Sequence, residues 1–328
     1  MLEHAYGRAT DTPRHLDALE NGDAEARAAA LEHLQVAVLH QGFPETATEP
    51  AVRAVTALLA EGRAHPDSVD GLIEWLGDVA LSVIDLRDVE FFAPLLPDLA
   101  EAVAAAYPVV LPAGESASAE DALFLAESLV AMARTPLLAD RREELAVLIA
   151  LLRDAADGSQ PDWVRLLASL GVDVRADLRD PDPAVRLRAA LACESEPESR
   201  EIILAALPHP PPAGTHRSEL VAAAIRVAAN FAEIADAACA VVARASWTGA
   251  DDEWGALVRY AFPEKRSRRL TDEQRALVRA LVANPDLWHP KIGNVAMVYR
   301  AAGLPFNRGT CRRLAEGREM ATGSDPAV

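Results

Sequence analysis

Five residues within one short stretch combine side chains that can act on a bound molecule: Trp247, Asp251, Asp252, Trp254 and Arg259. A tryptophan offers a stacking face and an arginine clamps an anion; an aspartate serves as a base or stabilises positive charge as it develops. Asp251 and Asp252 are therefore the candidate catalytic carboxylates, and Trp247, Trp254 and Arg259 the candidate groove residues. Spaced seven apart, Trp247 and Trp254 are expected on one face of one helix, lining a groove or the core. Close behind come Lys265, Arg266, Arg268 and Arg269, just ahead of Thr271. Four cations beside the amides of a helix N-terminus form a candidate site for a phosphate, sulfate or carboxylate group, or for an acidic partner. The plainer reading is a solvated helix face paired to neighbouring acids.

Other chemistry is not signalled locally. The histidines (His4, His15, His33, His40, His65, His209, His216 and His289) form no HExxH or similar ligand pair. His33 and His40, seven apart, can approach each other, but ordinary surface roles are expected, and no metal or cofactor. GxSxG, Walker and GxGxxG elements are absent from the sequence. Cys193, Cys239 and Cys311 are far apart in apolar stretches, which points to buried free thiols in a reducing compartment.

Helices must position these residues. Hydrophobic residues make up 51% of the 328 residues and aromatics only 5%, so the core is built from Ala, Leu and Val, and an all-α chain follows. Leu72, Leu76, Val79 and Val83 mark one single-faced helix, and Leu145, Leu148, Ile149 and Leu152 another. We read about thirteen to fifteen helices in all. Asp23, Asp67, Ser118 and Ser218 precede apolar-periodic runs, Thr271 with Gln274 has the capping-box pattern, and Gly303-Leu304-Pro305 is a stop. Breaks are expected at 108–117 and at 208–217, where Pro208, Pro210, Pro211, Pro212 and Gly214 exclude helix. The second break divides an N-terminal region, 1–207, from a C-terminal one, 218–328, unless the repeats run on without interruption.

Two segments superimpose: Asp23-Ala24-Glu25-Ala26-Arg27 with Ala30 and Leu31, and Asp182-Pro183-Ala184-Val185-Arg186 with Ala189 and Ala190. The aspartate can cap its own helix, and the arginine can reach the turn of an adjacent pair. These positions resemble those of HEAT repeats. Leu39 to Pro44 leading into the Val52–Leu59 run, and the closing residues Leu270, Gln274, Trp288, Asn294, Gly303, Leu304 and Pro305, resemble uncharacterised actinobacterial HEAT-repeat proteins. The resemblance implies a right-handed α-solenoid of stacked antiparallel helix pairs, HEAT-like or armadillo-type, and carries no activity with it. HEAT-like DNA glycosylases hold a damaged base with Trp, Asp and Arg, so the Trp247–Arg259 cluster also admits that weaker alternative.

Charge sets the expected partners. Residues 255–320 hold 13 Arg or Lys against 6 Asp or Glu, a net of +7, so the remainder carries -25 within the total of -18. Such an excess of acid repels phosphate backbones and anionic membranes, which disfavours nucleic acid and lipid. The N-terminus lacks a basic start followed by an apolar core, and the most apolar long stretch, 221–243, is interrupted by Arg226, Glu233 and Asp236. A cytoplasmic protein or peptide interaction module follows, with a protein partner, a second subunit included. Its alternative is an enzyme, or an enzyme subunit, of small-molecule secondary metabolism that holds an anionic substrate on the C-terminal arginines.

Overall fold

The computed structural model describes residues 2–118, 121–156, 160–263, 270–289 and 293–317. Among them are sixteen α-helices and two short β-hairpins. The chain divides into two compact units, Met1–Asp173 and Val174–Val328. The proline-rich segment is free of helix over 208–216, Arg217 being already helical, and lies inside the second unit.

In the first unit, strands β1 (Glu3–His4) and β2 (Gly7–Arg8) lead into α1 (Thr12–Asn21) and α2 (Ala24–His33), which runs on through a π-helical turn, Leu34–Val38. A second hairpin, β3 (Leu39–His40) and β4 (Phe43–Pro44), precedes α3 (Thr48–Ala60), α4 (Pro66–Asp85), α5 (Leu96–Glu115), α6 (Ala122–Ala133), α7 (Arg142–Ala155) and α8 (Pro161–Ser169). Next-but-one contacts make two rows, α1, α3 and α5 in one and α2, α4, α6 and α8 in the other, with α7 packed on α6 and α8. The second unit contains α9 (Pro183–Ala192), α10 (Pro197–Ala206), α11 (Arg217–Val227), α12 (Phe231–Arg244), α13 (Trp254–Ala261), α14 (Asp272–Ala283), α15 (Gly293–Ala301) and α16 (Arg308–Ala315). Here α11, α13 and α15 form one row, and α12, α14 and α16 the other.

Local signals explain many boundaries. Asp23 accepts from the Ala26 amide at 2.9 Å, and Asp182 from Ala184 at 2.7 Å. Both halves of the Thr271–Gln274 capping box form. Gly303 adopts φ 67°, where a Cβ is disfavoured, and lets the Leu304 amide return to the Tyr299 carbonyl at 2.8 Å. The cap of α4 is His65 rather than Asp67, which instead receives Arg27 from α2 at 2.8 Å. Arg186 turns back to the Asp180 and Pro181 carbonyls, at 2.6 and 2.9 Å. Arg188, two residues on, reaches Glu219 on α11.

One expected break is corrected. The break at 108–117 is not formed, because α5 continues through Pro108 and Pro112 to Glu115. Both prolines are exposed, four apart on the solvent face, so the carbonyls they leave free meet water. The opposite face, with Val103, Ala106, Tyr107 and Val110 buried, is held by α3, α4 and α6. The stretch 221–243 is divided between α11 and α12, and among the described residues α5 is the helix long and apolar enough to cross a membrane. It is packed as a core helix of the first unit.

Candidate functional site

The Trp247–Arg259 residues do not assemble as expected. Trp247 lies in a 3-10 turn, Trp247–Ala250, and is half-exposed, whereas Trp254 opens α13 and is wholly buried. They share no helix, because Gly249 and the two aspartates turn the chain so sharply that a Cβ on Gly255 would meet the Ala250 carbonyl oxygen at 1.7 Å. Trp254 is a core residue whose indole N–H donates to the Ser246 carbonyl at 2.9 Å. Arg259 donates to the Asp251 carbonyl, and Asn294 to the Asp251 carboxylate at 3.0 Å. Asp252 is exposed. The carboxyl raised above its ordinary range is Glu253, through burial first and then Asp252. Lys265, Arg266, Arg268 and Arg269 lie outside the described residues.

None of the three cysteines forms a disulfide among the described residues; Cys311 is buried and Cys193 and Cys239 are half-buried. Burial pushes the Cys239 thiol up. Such thiols are poor nucleophiles at neutral pH.

The first unit holds two features that residue spacing did not single out. One is a stripe along α4. Glu74, Asp78, Leu81 and Asp85 follow at i, i+4, i+7 and i+11, all exposed, over about 16 Å of helix. None of the three carboxylates is ion-paired among the described residues. On one side of the stripe is a groove of about 200 Å³ between α4, α6 and α8, floored by Gly77, Ser128 and Ala131 and rimmed by Phe124, Glu127 and Arg165. The two helices touch at its floor, where a Cβ on Gly77 would sit 3.0 Å from the Ser128 Cα. Arg165 neutralises Glu127. On the other side lies a hollow of about 510 Å³ reaching Leu39, Gly42 and Phe43 of the second hairpin. Burial and the nearby Glu74 raise the Asp78 carboxyl above its ordinary range. Its side chain stays accessible, so water moderates the shift.

Exposed apolar rings flank this stripe. Gln41 and Gly42 take φ 53° and 79°, a two-residue turn of the I′ kind that sets His40 opposite Phe43. Phe43 stacks on Phe92 at 5.5 Å, and Phe91 meets Phe92 edge-on at 5.0 Å while remaining 81% exposed. Phe43 and Phe91 thus both pack on Phe92 while staying exposed; Val89, three residues before Phe92, is exposed too, which gathers apolar surface around that ring.

The second feature is a histidine cluster at the start of the unit. His4 on β1, Asp11 before α1 and His33 at the end of α2 each bring one donor atom within 4.8 Å of the others. His4 Nδ1 accepts from the Tyr6 amide at 3.1 Å, which assigns the proton to Nε2, and Nε2 donates to Asp11 at 3.0 Å. His33 Nε2 lies 2.9 Å from the Thr12 hydroxyl, and its ring stacks on His15 at 4.1 Å. Burial, then His15, lowers the His33 pKa, with Asp11 opposing. Sequence spacing missed this cluster because the three side chains come from separate elements.

No family model matches this chain, and no curated protein or solved structure does so either. Its function is therefore read from its own geometry.

Proposed function

We propose that this chain is a cytoplasmic protein-interaction module whose first unit binds a basic, apolar-bearing segment of a partner protein along α4. The supporting observation is the stripe of three carboxylates without ion pairs, set between a groove and an exposed phenylalanine patch. Unneutralised acids draw Lys or Arg from a partner, and Phe43, Leu81 and Phe91 supply apolar contact once the segment is seated. A second copy of the chain and an unrelated subunit are both admissible sources of that segment. On this reading the rows of next-but-one contacts in each unit are helix pairs stacked in the right-handed, HEAT-like manner, a geometry suited to aligning side chains from successive pairs. The basic residues around Lys265 to Arg269 belong to a separate proposal, a contact for an acidic partner or small anion.

A fluorescein-labelled peptide of alternating arginine and leucine is a direct probe, read by anisotropy. Binding is expected at low salt, to weaken as salt rises, and to fall about tenfold or more in Glu74→Lys/Asp78→Lys/Asp85→Lys. The helix content of that variant should be unchanged. Equal binding by the variant, or no binding by the native chain at low salt, sinks the proposal.

A further inference from the structure

The geometry points to a divalent transition-metal site of the zinc class, formed by His4 Nε2, Asp11 and His33 Nε2, that clips the N-terminal hairpin to α1 and α2. Two imidazoles and one carboxylate are a donor set that zinc takes, usually with water in the fourth position. Tetrahedral bonds of about 2.0–2.1 Å set donors about 3.4 Å apart. Here His4 Nε2 and Asp11 Oδ1 are 3.0 Å apart and all three donors lie within 4.8 Å, so changes in separation of at most about 1.4 Å close the set. The arrangement is half-sheltered: the His4 side chain is 6% exposed and that of Asp11 49%, which leaves the ion an entry path from solvent.

The proton inventory is simple. The neutral His4 ring carries its proton on Nε2, facing Asp11, and must move it to Nδ1 to free the Nε2 lone pair. The Nδ1–H and the Tyr6 N–H, now two donors at 3.1 Å, must then part by a small shift of the hairpin turn, on which Tyr6 is 65% exposed. His33 turns its Nε2 from the Thr12 hydroxyl to the ion. Asp11 supplies a carboxylate already ionised at neutral pH, and the tautomer shift leaves the ring with one proton. The hairpin is otherwise tied down by few bonds, among them the Ala5 amide to the Ala37 carbonyl at 3.0 Å and the Ala47 amide to the Glu3 carbonyl at 3.0 Å. A metal bridging β1, α1 and α2 adds a further tie between the hairpin and these helices.

The test uses the full chain, stripped with chelator and titrated with Zn²⁺ and with Co²⁺ as its spectroscopic stand-in. One ion per chain should bind, with a dissociation constant of about 1 μM or tighter, and Co²⁺ should show the intense visible bands of four-coordination. Asp11→Asn and His33→Gln, which keep size and polarity, should each weaken binding about a hundredfold or more, with far-ultraviolet dichroism unchanged. His209→Ala, at an exposed histidine in the proline-rich segment, should bind as the native chain does. The site is overturned by binding no tighter than about 100 μM, by native affinity in Asp11→Asn or His33→Gln, or by loss in His209→Ala.

Discussion

Arg188 is buried to 2% exposure, and its guanidinium is nearly saturated. Nη1 donates to both Glu219 oxygens at 2.7 and 2.8 Å, and Nη2 to the Gly214 carbonyl and to the Thr215 hydroxyl. Its Nε–H is the donor left without a partner. That fork pins the proline-rich segment between α9 and α11, which is why a stretch unable to form helix is nevertheless ordered against its neighbours. Arg188→Ala is expected to destabilise the chain by about 3–5 kcal/mol, because Glu219 loses its counter-charge and a polar cavity opens. Arg188→Lys should recover little of that loss, since an ammonium cannot reproduce the planar fork; unfolding in denaturant measures both. Asp78 behaves oppositely. Its folded pKa is raised above the unfolded value of 3.8, so the charged form is disfavoured on folding. That penalty is complete above the folded pKa and disappears below 3.8. Asp78→Asn should accordingly raise the melting temperature at pH 7 and leave it unchanged near pH 3. The same substitution should weaken peptide binding, so stability and recognition part company at this residue.

Among the helices, boundaries written by near neighbours were legible. Asp23, Asp182 and the Thr271–Gln274 pair are readable because a cap joins residues two or three apart, whatever the rest of the fold does. Thr271→Ala removes one half of the box and is expected to cost about 1 kcal/mol, seen as a lower denaturation midpoint. The prolines of α5 were misread for the converse reason. Pro108 and Pro112 forbid two hydrogen bonds wherever they stand, but whether the helix survives depends on which face they occupy, and packing against α3, α4 and α6 settles that. Trp247 and Trp254 show the same limit, because a seven-residue spacing identifies one face only if no turn intervenes, and Gly249 supplies one.

At the scale of the molecule, each unit has its own buried core and its own rows of helices. Chains ending at Asp173 and beginning at Val174 should therefore fold separately, with helical dichroism summing to that of the whole; a fragment that stays unfolded would show that its core is not self-sufficient. The sequence by itself determined that the chain is helical, because Ala, Leu and Val recur at helical spacing and strand patterns are absent; it also determined the caps at Asp23, Asp182 and Thr271, the stop at Gly303 and the proline-rich break, helix-free over 208–216, but not the starts of α4, α6 and α11, which follow His65, Asp121 and His216 rather than Asp67, Ser118 and Ser218. What it determined depends on residues within one or two turns of each other. Only the tertiary structure decided where chemistry gathers. The α4 acids are exposed surface residues that come to border a groove and a hollow only because α6 and the second hairpin pack beside them, and His4, Asp11 and His33 became neighbours only when β1, α1 and α2 converged. Proximity of that kind is set by packing between elements, which no local spacing encodes.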